Sequence, residues 1–172
     1  MDSSFIITFV SDDRPGLVEA LSSTIESKGG NWHESRLSQL GGKFAGLISV
    51  SLPADAGTEL ETALEALATG GISVTVKRAS EVSEPAAPGQ DVCLTIVGPD
   101  RTGIVKEISR ALSERKINVV EMHSQVASAP MSGEMLFHAR VDARVPEATD
   151  IAELSDTLDE IANQMTLDIE LD

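Results

Sequence analysis

Two copies of a short motif hold the residues of this chain that are best suited to bind a ligand. The motif is Asp-Arg-x-Gly-(Leu/Ile)-Val, followed by an Asn 18 residues after the Asp. Asp and Asn side chains can accept an ammonium group, and backbone N–H groups at a Gly-started helix favour a carboxylate. Together they suit an α-amino acid zwitterion. The candidate ligand-binding residues are Asp13, Arg14, Gly16 and Asn31 in the first copy and Asp100, Arg101, Gly103 and Asn118 in the second.

The same residue types also fit a purely structural role. An Asp near a helix N-terminus often bonds free backbone N–H groups, and an Asn is common beside a turn. Arg14 and Arg101 could simply solvate a surface. The residue types alone therefore leave capping and ligand binding open, and they favour capping.

Residue patterns typical of bond-breaking or metal chemistry are absent from the sequence. His33, His123 and His138 have no His or Cys partner at i+2 to i+4, so we expect no metal site. The Gly98–Gly103 segment lacks the Lys-Ser/Thr that follows a phosphate-binding loop. Cys93 lies in an apolar run, which favours a buried structural thiol over a nucleophile. We expect no catalytic residue, no cofactor and no enzyme activity.

The charge of the chain restricts its partners. The 172 residues carry a formal net charge of −15. Nucleic acids and anionic membranes both require basic surface, so direct binding to either is disfavoured. A single cysteine, no signal peptide and no membrane-spanning run predict a soluble cytoplasmic protein.

The motif recurs because a whole domain is duplicated. Residues 7–39 align without a gap on residues 94–126 at a constant offset of 87, and nine of the 33 aligned positions are identical. Such a long period indicates a repeated domain rather than a solenoid. We expect one domain over residues 1–80, a linker over 81–90 that contains two Pro and a Gly, and a second domain over 91–172.

Each half has the pattern strand, helix, strand, strand, helix, strand. In the first half a strand is predicted over Phe5–Val10, a helix after Pro15, a hairpin from Asn31–Leu40 and Lys43–Leu52, a helix over Ala56–Ala68 and a strand from Ile72.

The second half repeats the order, with strands predicted at Val92–Val97, Asn118–Val126, Glu134–Asp142 and from Leu167, and with helices from Ile104 and around Leu154. With right-handed crossovers this order predicts an α+β protein. It consists of two ferredoxin-like βαββαβ sandwiches in tandem, each an antiparallel sheet with both helices on one face.

The motif and the element order together resemble the ACT domain, an amino-acid-sensing regulatory module. The resemblance covers both halves. Two such units with no other domain are most similar to the glycine cleavage system transcriptional repressor group, and the Asp13-Arg14-Pro15-Gly16 version is also similar to the regulatory domain of formyltetrahydrofolate deformylases. No residues remain here for a deformylase catalytic domain.

The resemblance implies a non-catalytic regulator that senses a small amino acid, with glycine the first guess. It implies binding where the first loop of one unit meets the second strand of a partner unit, which carries over to Asp13, Gly16, Asn31, Asp100, Gly103 and Asn118. The partner would be a transcription activator, with no direct nucleic-acid contact. The alternatives are a regulatory subunit of an amino-acid or one-carbon metabolic enzyme, or an interaction module without a ligand. We also expect a homodimer, since the open sheet faces and edges need cover.

Overall fold

The chain forms two compact units, Met1–Ser83 and Glu84–Asp172, in a computed structural model that describes residues 2–79 and 88–172. The predicted linker lies largely outside the described residues. Its last two residues, Gly89 and Gln90, were expected in the linker but belong to a strand instead. They pair with Pro146 and Val145, so backbone hydrogen bonding extends the strand beyond its apolar run.

The first unit has the predicted βαββαβ order. Its elements are β1 (Asp2–Asp12), α1 (Leu17–Ser27), β2 (Asn31–Leu40), β3 (Lys43–Pro53), α2 (Gly57–Glu65), a 3₁₀ turn (Ala66–Gly70) and β4 (Ile72–Arg78). The strands form an antiparallel sheet in the order β2-β3-β1-β4, which leaves β2 and β4 at its edges.

Alternation along the strands directs one face of this sheet into a core beneath both helices. The fully buried side chains include Ile7, Leu21, Ile48, Leu60 and Leu64. In α1 the buried residues are Leu17, Leu21 and Ile25, as the i, i+4, i+8 spacing predicts. None of the described helices of this unit covers the other face of the sheet.

The second unit repeats the architecture. Its elements are β5 (Gly89–Pro99), α3 (Ile104–Glu114), β6 (Asn118–Ser128), β7 (Met135–Pro146), α4 (Ile151–Met165) and β8 (Asp168–Leu171). The sheet order is β6-β7-β5-β8, again antiparallel, with β6 and β8 at the edges. The α+β fold class is therefore confirmed for both halves.

None of the helices in the described ranges is long and apolar enough to cross a membrane.

Candidate functional site

The loop between β1 and α1 leaves backbone donors at the start of the helix. Gly16 occupies the N-cap position with φ 89°, a left-handed conformation that side chains rarely adopt. The first intrahelical hydrogen bond runs from the Ala20 N–H to the Gly16 carbonyl. The N–H groups of residues 17–19 therefore have no acceptor within the helix. A Cβ placed on Gly16 would meet no atom within 4 Å, so open space lies beside the glycine.

The second unit reproduces this loop. Gly103 caps α3 with φ 101°, and the first intrahelical bond runs from the Glu107 N–H to the Gly103 carbonyl. A Cβ on Gly103 would lie 3.9 Å from the Met165 Cε, an ordinary contact. Both copies of the motif therefore place a glycine and free helix N–H groups at an open surface.

The two motif aspartates do not cap their helices. Neither α1 nor α3 has a side-chain cap hydrogen bond, and Asp13 and Asp100 are exposed. By contrast, Asp150 caps α4 and accepts hydrogen bonds from the backbone N–H groups of Ala152 and Glu153. The capping interpretation of Asp13 and Asp100 is therefore wrong, because a Gly stands at the cap position.

The two motif arginines differ in their surroundings. Arg14 donates a hydrogen bond from its guanidinium to the Gly70 carbonyl, at the end of the 3₁₀ turn. This contact ties the β1–α1 loop to the segment before β4, which is a structural role. Arg101 is exposed and follows β5 in the equivalent loop. The repeated motif predicts both arginines at the site, but it does not reveal that only Arg14 of the two bonds a backbone carbonyl in the described structure.

Asn31 lies at the opposite end of the sheet from Asp13 within the first unit. Asn31 begins β2 and pairs with Ser51, which in turn pairs with Ser4 of β1. Asp13 directly follows the other end of β1, at Asp12. The eight residue steps from Ser4 to Asp12 correspond to about 27 Å of strand. The two side chains therefore do not converge within one unit.

The register of the second unit gives the same separation. Asn118 begins β6 and pairs with Arg144, which pairs with Asp91 near the start of β5. Asp100 follows Pro99 at the end of that strand. Both Asn side chains are exposed at the start of an edge strand. A ligand that contacts both the loop and the Asn would need two copies of the unit.

A residue that the sequence pattern does not single out lies just before the first motif. Ser11 of β1 is 4% exposed, and its Oγ has no hydrogen-bond partner among the described residues. The equivalent residue of the second unit is Gly98, where an added Cβ would lie 2.7 Å from the Leu167 Cδ2. The two units therefore differ in the part of the core that lies at the end of the first strand, next to the motif loop.

An ion pair joins the end of β1 to the start of β3, beside the first loop. Lys43 donates to the Asp12 carboxylate, and this hydrogen bond with the nearby lysine charge lowers the pKa of Asp12 below its ordinary value. In the described part of the chain, no group of three or more His, Cys, Asp or Glu side chains is placed to hold a metal ion.

The profile of one protein family matches nearly the whole chain. The ACT domain family matches residues 3–77 and residues 90–172, so each unit is matched separately. The two matched ranges coincide closely with the two βαββαβ sandwiches.

Individual proteins are also similar to this chain over most of its length. The chain is 23% identical over 161 residues to the glycine cleavage system transcriptional repressor of Escherichia coli K12, covering 93% of this chain and 84% of that one. The Shigella flexneri repressor gives the same values. A crystal structure of an unknown protein from Galdieria sulphuraria is 30% identical, with a TM-score of 0.87 over 100% of this chain and 98% of that chain. A structure assigned provisionally to the glycine cleavage repressors superposes with a TM-score of 0.70 at 22% identity, covering 100% and 97% of the two chains.

Proposed function

The chain belongs to the ACT domain family, and we propose that it is a cytoplasmic, non-catalytic regulator that senses a small amino acid. Glycine is the first candidate ligand, because the curated relatives are glycine cleavage system transcriptional repressors. The main support for the proposal is the start of the first helix in each unit. In both α1 and α3 a Gly occupies the N-cap position, and no side chain bonds the free backbone N–H groups.

The chemistry of this loop fits an amino acid. The free N–H groups at the start of α1 and the helix dipole favour the ligand carboxylate. The exposed Asp13 carboxylate, three residues before Gly16, supplies a counter-charge for the ammonium. Asp100 and Gly103 repeat the arrangement in the second unit.

The Asn residues complete the site from a partner unit. Because Asn31 and Asn118 lie at the far ends of their sheets, each can face a ligand only at the loop of another unit. We propose that a second copy of the chain supplies that unit through an edge strand, which makes the active form a homodimer. Light scattering at tens of micromolar protein tests this assembly, and a monodisperse monomer would exclude it.

The regulatory output is proposed to pass through a protein partner. With a net charge of −15, the chain is poorly suited to bind DNA directly. A transcription activator is the first candidate partner, given the names of the curated relatives. Affinity purification of the tagged chain tests this: a basic DNA-binding protein would support the repressor route, whereas a metabolic enzyme would support a regulatory subunit.

Ligand binding is tested by thermal unfolding and calorimetry with the twenty amino acids. A ligand at 100 times its dissociation constant stabilises the fold by about 2.7 kcal/mol, enough to raise the melting temperature by a few degrees. Gly16→Val and Gly103→Val should each abolish the shift in their unit, since a side chain would block approach to the backbone. Asp13→Ala should remove the first unit's part of the shift, and it should do so without the stability cost of a lost helix cap.

A matched control separates strain from binding. Gly41 lies in the β2–β3 turn with φ 58°, and a Cβ there would also meet no atom within 4 Å. Gly41→Val imposes backbone strain in the turn that adjoins the loop, where Gly42 accepts a hydrogen bond from the Asp13 N–H, but it places no side chain on the residue that caps α1, so the ligand-dependent shift should persist. No heat and no melting shift with any amino acid at millimolar concentration would reject amino-acid sensing.

A further inference from the structure

The outer face of the second sheet carries a depression that the amino-acid site does not use. It has a volume of about 470 Å³, within the range of small-molecule sites. Its polar lining comes from the middle of three strands, in Thr95 of β5, His123 and Gln125 of β6, and His138 and Arg140 of β7. These residues alternate with buried core positions such as Ile96 and Ala139, so their side chains point away from the helices.

The strand register brings these side chains together in two rows. In the first row His123 and Thr95 both pair with Arg140, one from each neighbouring strand. In the second row Gln125 and Val97 pair with His138 in the same way. Directly opposed residues on adjacent strands place their Cβ atoms about 5 Å apart. A guanidinium, two imidazoles, a hydroxyl and an amide therefore share one small surface.

Carboxylates orient two of these groups without occupying the depression. Asp142 accepts hydrogen bonds from the Arg140 Nε at 3.4 Å and from its Nη2 at 3.1 Å. Since a guanidinium has five N–H donors, three remain for a ligand. Glu121 lies 2.9 Å from the His123 Nε2 and fixes that ring in the same way. The side chains of Arg140 and His123 stay 62% and 74% exposed.

The first unit provides an internal comparison. A depression of about 210 Å³ lies on the same face of its sheet but is displaced along the strands, and it shares with the larger depression only the positions of Arg36 and Leu47. The strand pairing identifies the equivalent residues of the two units. Thr8 pairs with Leu47 where Thr95 pairs with Arg140. Val10 pairs with Ala45 where Val97 pairs with His138. The fold alone therefore does not require Arg and His at these positions. Among the residues that the structure describes, only the second unit has Arg and His at these two positions.

We propose that this depression binds a small phosphate monoester. Every ionisable side chain in its lining is a base, and the hydroxyl of Thr95 and the amide of Gln125 add neutral donors. A phosphate monoester offers several oxygen acceptors around one centre, which matches a guanidinium flanked by two imidazoles better than a single carboxylate does. A metal ion is disfavoured, because the described residues offer no group of three or more His, Cys, Asp or Glu ligands.

The surrounding charge limits the ligand to one phosphate group. Glu170 pairs with Thr95 on the far side of the first row, and Asp168 pairs with Val97 in the second. With Glu121 and Asp142 they form an acidic border around a basic centre. Such a border repels nucleic acids and anionic membranes more strongly than a ligand with one phosphate group, because an extended polyanion brings many charges against the border carboxylates.

The test is an NMR titration of the ¹⁵N-labelled full chain with inorganic phosphate, glycerol 3-phosphate and succinate. We expect glycerol 3-phosphate to give saturable amide shifts centred on Thr95, His123, His138 and Arg140. Arg140→Leu, which installs the residue of the first unit, should weaken binding about tenfold by removing charge-assisted hydrogen bonds. Thr95→Val should weaken binding less while keeping the shape of the side chain.

The control is Arg36→Ala, because Arg36 is the first unit's counterpart of His123 and lines the smaller depression. It should leave the titration unchanged. Non-saturating shifts, shifts centred on the Gly16 or Gly103 loops, equal or tighter binding of succinate, or an unaffected Arg140→Leu protein would each overturn the proposal. If Arg140→Leu does not fold, Thr95→Val and His123→Gln provide the same comparison. Glycine binding does not enter this test, so the two sites can fail separately.

Discussion

The buried hydroxyl of Ser11 distinguishes the first unit at the scale of a single residue. Because its Oγ has no partner in the described structure, it has lost hydration without gaining a hydrogen bond. Such a loss costs about 1–3 kcal/mol. Ser11→Ala should therefore raise the free energy of unfolding by about 1 kcal/mol in urea denaturation. The exposed Ser73→Ala should change it by less than about 0.5 kcal/mol. A marked loss of stability in Ser11→Ala would show that the hydroxyl is hydrogen-bonded.

The Asp12 carboxylate gives a residue-scale prediction about pH. Lys43 holds the pKa of Asp12 below its ordinary value, chiefly through the hydrogen bond. The ion pair therefore contributes stability above the ordinary Asp value of about 3.9, and the contribution is lost as the pH falls through the lowered pKa. In Lys43→Met the pKa of Asp12 should rise toward the ordinary value, as followed by NMR of the carboxyl carbon. An unchanged pKa would show that Lys43 does not control it.

Side-chain partners at this scale could not be read from the sequence. The motif residues were identifiable because each occurs twice at one spacing. The bond from Arg14 to Gly70, 56 positions away, depends on where the 3₁₀ turn ends in space. The cluster around Arg140 depends on the pairing of three strands, so no local pattern indicates it.

At the scale of elements, the helix starts make a direct comparison of capping. Asp150→Ala should lower the free energy of unfolding by about 1 kcal/mol, because Asp150 bonds two N–H groups at the start of α4. Asp13→Ala and Asp100→Ala should cost less than about 0.5 kcal/mol without ligand, since α1 and α3 have no side-chain cap. Urea denaturation of the three variants measures the difference. An equal loss of unfolding free energy in all three variants would show that Asp13 and Asp100 cap their helices.

The elements were predictable where side-chain periodicity and turn residues agree. The bounds of β2, Asn31–Leu40, match the prediction, because Gly29-Gly30 and Gly41-Gly42 mark both ends. Strand β1 was predicted too short, since its polar first residues pair with β3 without adding to the apolar run. Helix α2 was predicted too long, because its pattern continues into a 3₁₀ turn from Ala66.

At the scale of the whole molecule, charge leads to a prediction about nucleic acid. The net charge of −15 should prevent sequence-specific DNA binding by this chain alone at physiological salt. Fluorescence anisotropy with labelled promoter DNA should show no saturable binding, and the same DNA with an added activator protein serves as the positive control. Saturable binding without that protein would contradict the proposed route through a protein partner.

The separation of each motif loop from its Asn also has a thermodynamic consequence. If one amino acid contacts the loop of one copy and the Asn of another, the ligand acts as a crosslinker, and its binding is linked to self-association. The apparent affinity for glycine would then fall as the protein is diluted, and saturating glycine would shift dissociation to lower protein concentration. Such a sensor would respond to its own abundance as well as to its ligand, so the same glycine level would give a stronger signal in a cell that holds more of the protein.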